Sequence, residues 1–144
     1  MSEEETRNKM KERRFFEEIW SKGNFAVVDD LVAPDYIDHN ANTSTAGPEG
    51  VREEVSLYRN AFPDLVFTIE DVIAEGDRVA VRWTNAGTNV GDFLGIPATG
   101  RSFSVPGIDI YRLEDGKLAE HWHVVDMYGQ LIQLGLLPAP DQNG

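Results

Sequence analysis

The tightest constraint on this chain is a stretch near its end, Phe103–Val125, FSVPGIDIYRLEDGKLAEHWHVV. Two runs rich in β-branched and aromatic residues flank Glu114-Asp115-Gly116, where glycine supplies the positive φ of a hairpin turn. The spacing predicts a loop over 114–116 built on a type I turn plus a bulge. Leu113 then faces Lys117, Tyr111 faces Ala119, Asp109 faces His121 and Gly107 faces His123. Side chains alternate across a strand, so Asp109, Tyr111, His121 and His123 share one face. The other face carries Ile108, Ile110, Leu118, Trp122 and Val124, with Arg112 and Glu120 among them. A ribbon occupied on both faces belongs to a sheet covered on both sides, one side enclosing something polar.

The rest of the chain supplies the cover. Glu3–Lys22 reads as a helix whose Phe15, Phe16, Ile19 and Trp20 form one apolar stripe, stopped at Gly23. Asn24 caps a shorter helix through Val32, and Pro34 ends it. Asp35–Asn40 is irregular or extended. Pro48 opens a third helix with Val51, Val55, Tyr58 and Phe62 inward, closed by Pro63. The period then changes: Leu65–Ala74 and Arg78–Thr88 read as strands around Glu75-Gly76-Asp77. Gly91–Gly100 is a glycine-rich loop expected at a pocket mouth, where it could serve as a lid. Asp126 caps a last helix, and the tail from Pro138 is expected to be loose. Helices first and hairpin-linked strands second make an α+β pattern. The expected architecture is a cone, its N-terminal helices packed on a curved antiparallel sheet around a cavity. One domain spans 1–144, with an ordered core of about 4–138.

Composition narrows the partners. A formal charge of −12 argues against nucleic acid or anionic membrane, since phosphate binding needs a basic surface. The absence of cysteine excludes disulfides and thiol catalysis. With a charged N-terminal stretch and no apolar run of about 18 residues, the expectation is a soluble, cytoplasmic protein. No dinucleotide fingerprint, P-loop or G-x-S-x-G is present.

The ionisable face of the hairpin carries the candidate chemistry. Asp109 and His123 lie at a diagonal that side chains can span. The pair can be a base whose imidazole is oriented by a carboxylate, or a structural hydrogen bond between two buried groups. His121 can extend that network or stand at its rim. Tyr36 and His39 can orient a substrate carbonyl, or belong to a local turn in which Asp38 and Asn40 bond their own backbone. Trp83 and Tyr111 are core residues or aromatic pocket contacts with a polar handle. His121, His123 and Asp109 also fit a three-ligand metal set, but an aspartate–histidine pair explains the same residues, and no metal or cofactor is expected. Asp29-Asp30 and Glu53-Glu54 read as solvated helix faces.

In Pro34-Asp35-Tyr36 with His39, Gly47-Pro48-Glu49-Gly50-Val51, Phe62-Pro63-Asp64, Gly95–Arg101, Asp115-Gly116-Lys117 and Glu120-His121-Trp122 through Gly135, the chain resembles the SnoaL-like polyketide cyclases. These form a branch of the nuclear-transport-factor-2-like superfamily. The resemblance implies the cone fold, a largely apolar pocket and cofactor-free general acid–base catalysis. Its characterised members close a ring by intramolecular aldol condensation, with an aspartate on the last strand and a histidine on the strand before. Those positions fall on His123 and Asp109, so the pair is exchanged here. The resemblance turns the reading toward an enzyme, with His123 as base and Asp109 as its partner. His39, Tyr36, Trp83, Tyr111 and His121 are then substrate contacts, and the substrate is a small hydrophobic carbonyl compound. A dehydratase, isomerase or hydrolase could use the same parts. A non-catalytic small-molecule-binding or interaction module is the alternative, and a homodimer is expected through the sheet's outer surface.

Overall fold

The computed structural model describes residues 1–140; 141–144, the end of the expected loose tail, lie outside the described residues. Helix α1 (Glu3–Arg14) opens on a capping box in which Ser2 and Glu5 bond each other's backbone, with Glu3, Glu4 and Glu5 at its positive end. It runs on as a π-helical turn, Phe15–Trp20. The wider turn changes the side-chain phase, and Phe16 and Trp20 both reach the interior cavity. The second predicted helix is shorter than expected. A 3₁₀ turn over Phe25–Val27 leads into α2 (Val28–Leu31), and the chain is extended from Val32.

The first part of the segment read as irregular or extended, Asp35–Asn40, is indeed extended and belongs to strand β1 (Val32–Asp38). Helix α3 (Gly47–Ala61) follows with Pro48 in its first turn. Strands β2 (Val66–Glu75), β3 (Arg78–Thr88), β4 (Ser102–Glu114) and β5 (Lys117–Val125) form successive hairpins, and α4 (Met127–Gln133) closes the chain, capped by Asp126. The sheet order is β1-β5-β4-β3-β2. All neighbours are antiparallel except β1 and β5, which run parallel. The hairpin-linked strands are antiparallel as expected, and β1 adds a parallel edge beside β5. A crossover containing α3 and three strands separates β1 from β5 in sequence, and such a connection can bring strands together in parallel.

The hairpin register also departs from expectation, and this sets the site. Asp115 (φ 50°) and Gly116 (φ 76°) both adopt positive φ, giving a two-residue turn of type I′ rather than a three-residue loop. Leu113 therefore pairs with Leu118, and Ala119 is left over as a bulge before Arg112 pairs with Glu120. The extra residue restores the parity of the face. Beyond it Tyr111 opposes His121, and Asp109 opposes His123.

The helices cover the concave face. Phe15, Phe16 and Ile19 pack with Val55, Val79, Val81, Tyr111 and Leu118, and a second cluster gathers Phe62, Leu65, Phe93, Phe103 and Leu134. Among the described residues, no helix is long and apolar enough to cross a membrane.

Candidate active site

Between the two clusters lies a pocket that opens to solvent. Phe16, Trp20, Tyr58, Phe67 and Trp83 supply its aromatic walls. Asp38, Glu54, Asp109, His121 and His123 line its polar part, with Asn85 and Gln130 beside them. Strand alternation puts the polar groups together: Asp109 and Tyr111 from β4, His121 and His123 from β5, and Tyr36 and Asp38 from β1.

The centre of the cluster is His121, 5% exposed. Its Nε2 lies 3.2 Å from Asp109 Oδ2, and its Nδ1 lies 3.3 Å from Asp38 Oδ2 and 3.2 Å from the Tyr36 hydroxyl. The ring stacks on Tyr111 at 4.2 Å with planes 3° apart, and Tyr111 donates its hydroxyl to Asp109 Oδ2 at 3.0 Å. Burial alone would push this imidazole toward neutrality. The Asp109 and Asp38 carboxylates, close to its two nitrogens, outweigh it and hold the pKa up at about 9, so His121 is a cation at neutral pH. Asp38 is opposed by burial too, but its bond to His121 and the Asn40 N–H hold its carboxyl below the usual range.

His123 has the opposite character. Burial and then the positive charge of His121 push its pKa down, which leaves a neutral ring at pH 7. Its Nδ1 is buried without a hydrogen-bond partner, 4.0 Å from Asp38 Oδ1, and its backbone N–H donates to Asn40 Oδ1. The expected Asp109–His123 pair is therefore corrected. The two residues oppose each other across the strands, but the Asp109 carboxylate reaches diagonally to His121, and the carboxylate nearest His123 is Asp38.

The other expected contacts divide. Trp83 lines the pocket. Tyr36 lines a smaller adjoining hollow that shares Asp38, Glu54 and His121 with it. Tyr111 is fully buried beneath His121 and supports that ring instead of lining the pocket. His39 lies on the opposite side of the sheet: Asp38 points inward, so its neighbour points out. There His39 bonds Glu120 at 2.8 Å and stacks on Trp122. The 91–100 loop supplies no lining residue; Phe93 is tucked against Tyr58 and Phe62.

Three carboxyls escape the sequence reading. Asp38 reads there as a turn residue, and it does bond the Asn40 N–H, yet its other oxygen reaches His121. Glu54 reads as solvated but is buried at the pocket, accepting from the Asn42 backbone and side chain. Burial still pushes its carboxyl up, ahead of those bonds. Glu12, within the charged run of α1, is fully buried with neither oxygen hydrogen-bonded, and burial pushes its pKa well up. For a metal, Asp38, His121 and His123 offer ligand atoms within 4.8 Å of one another. A cation there would have to displace the proton that two carboxylates hold on His121.

The family model described as SnoaL-like polyketide cyclase matches residues 11–134. The nogalonic acid methyl ester cyclase of Streptomyces nogalater is 33% identical over 131 residues, covering 87% of this chain and 95% of that protein. The aklanonic acid methyl ester cyclase DauD of Streptomyces sp. strain C5 is 31% identical over 122 residues, 82% of this chain and 76% of that one. Among solved structures, TsrD from Streptomyces laurentii superposes with a TM-score of 0.83 at 35% identity, covering 95% of this chain and 99% of that chain.

Proposed function

The chain belongs to the SnoaL-like polyketide cyclase family, and on that premise we propose that it closes a ring of a neutral polyketide ester by intramolecular aldol addition. The observation that carries this reading is the pair of imidazoles on β5: His123 is held neutral and His121 cationic, both at the wall of one cavity.

In this reaction His123 takes a proton from the carbon beside the ester carbonyl, and the C–H electrons become an enolate. The enolate carbon attacks a ketone carbon of the same molecule. A C–C bond forms, the ketone π electrons move to its oxygen, and that oxygen recovers the proton from His123. Substrate and product are isomers, so no co-reactant is consumed. The imidazolium of His121 faces the negative charge that develops on oxygen, where fixed charge acts without reorganisation. Asp38, between the two rings, stabilises His123 while it carries the proton. Asp109 and Tyr111 position His121 and do not themselves react. The aromatic walls suit a flat conjugated substrate, and the lining residues contain no Lys or Arg to neutralise a free carboxylate.

Nogalonic acid methyl ester is the first substrate to test, with turnover followed as a product of equal mass and new retention. Wild type should cyclise it, before and after dialysis against a chelator, and His123→Ala should lower kcat by about 10²–10⁴-fold. An unchanged kcat in the variant removes the proposed base. If wild type turns over neither this ester nor the aklanonic one, and exchanges no deuterium into simple β-keto esters, the protein is a binding module.

A further inference from the structure

Two polar side chains at the cavity take no part in this proton chemistry. Trp83 and Asn85 stand two residues apart on β3, so both face inward, while Thr84 between them bonds Glu70 on the outside. Each is only 4% exposed, and each lines the cavity that holds Asp109, His121 and His123. Each also carries a buried polar atom with no hydrogen-bond partner: the indole Nε1 and the amide Oδ1. Buried polar atoms are nearly always paired, and an apolar side chain of similar size would avoid the cost of burying them unpaired.

The indole is built into its place. Trp83 pairs with Gly107 across the strands. A Cβ at Gly107 would come within 2.2 Å of the indole Cη2, so a side chain at 107 would displace the ring. Phe67 meets it edge-on at 4.9 Å. A ring fixed on two sides aims its N–H in one direction, which is what a preorganised donor needs.

We propose that Trp83 and Asn85 are the specificity-determining edge of this cavity, the Trp83 Nε1–H donating to a ring carbonyl of the substrate and the Asn85 amide oxygen accepting from its hydroxyl. The inference rests on the cyclase reading only in taking this cavity as the substrate site. Residues two apart on a strand stand about 6.6 Å from each other along one face, so one ligand can meet both side chains. The preferred ligand is a neutral, hydroxylated cyclic ketone. Its unsubstituted ring ketone keeps one of the two contacts, and the bare aromatic hydrocarbon keeps neither.

Three probes that differ only in these groups test the assignment: a hydroxynaphthoquinone, naphthoquinone and naphthalene, titrated by calorimetry into the full chain. Wild type should bind the hydroxyquinone about five- to tenfold more tightly than the quinone, and naphthalene weakest. Asn85→Leu should bring the first two within twofold of each other, and should leave Tm unchanged or raised because it removes an unpaired buried amide. Trp83→Phe keeps an aromatic ring and removes the donor; it should weaken both quinones by a similar factor and leave naphthalene unaffected. With nogalonic acid methyl ester the same variants should raise KM and leave the pH profile of kcat in place. Wild type that does not bind the quinones, or variants that bind all three probes as wild type does, overturn the assignment. Probe discrimination without any cyclisation would leave the recognition edge standing and remove the cyclase reading. Cyclisation indifferent to both substitutions would do the reverse.

Discussion

Replacing Asp109 by asparagine tests how the cation in this site is made. Asp109 and Asp38 reach the two nitrogens of His121 at nearly equal distances, 3.2 and 3.3 Å, and together hold its pKa at about 9 against burial. Because burial works against them, removing either carboxylate should let the His121 pKa fall. Without Asp109 the ring should titrate lower than in the wild type. The folded pKa is the higher one, so the stabilisation is complete below pH 6.5 and fades as pH rises through 9. At pH 7 it amounts to about 3 kcal/mol, and the variant should lose part of it. The neutral amide introduced by Asp109→Asn would also leave Tyr111 with a weaker acceptor, which adds to the loss. Thermal denaturation at pH 7 should therefore show Tm lower by several degrees. The alkaline limb of the cyclisation rate, which reports loss of the His121 proton, should move to lower pH. A variant with the wild-type alkaline limb would refute the claim that Asp109 maintains the cation.

Other consequences reach different parts of the molecule. Glu12→Leu should stabilise the protein at pH 8, and less at pH 5: the folded state keeps a proton that the unfolded chain releases above about 4.5, so wild-type stability falls as pH rises. Denaturant titrations at the two pH values measure it, and equal gains would show that Glu12 is not held protonated. On the outer face of the sheet, Ile108, Ile110 and Val124 form an exposed apolar patch. This supports a homodimer through that face. Sedimentation should then show a wild-type dimer and a Val124→Glu monomer, and a wild-type monomer at tens of micromolar would contradict it.

The grouping of Asp109, Tyr111, His121 and His123 is legible in the sequence because strand alternation is rigid: an even number of shifts preserves the face. Which of them touch is not. It depends on a two-residue turn, which the Asp115-Gly116 dipeptide does favour in the type I′ form, and on the bulge at Ala119, which nothing in the sequence marks. Asp38 is hidden because its role depends on β1 joining the sheet beside β5, a contact between residues more than 80 apart in sequence. His39 is misplaced for the same reason; one position along that strand is the difference between cavity and outer surface. Glu12 and Glu54 defeat composition-based reading altogether. Each sits in a helix among charged neighbours, and only the packing shows that one carboxyl faces inward. The aromatic stripe that follows α1 is plain in the spacing, although the π turn that carries it, Phe15–Trp20, has no signature there.

In this mechanism two histidines separated by one residue hold opposite protonation states. Nitrogen-15 labelling of the histidines and an NMR titration from pH 5 to 10 read the two rings separately, with His121→Asn and His123→Asn to assign them. His121 should remain an imidazolium until about pH 9, while His123 should lose its proton below the ordinary histidine value of 6.5. Two rings neutral at pH 7.5, or a cation on His123 with His121 neutral, would contradict the mechanism at its base.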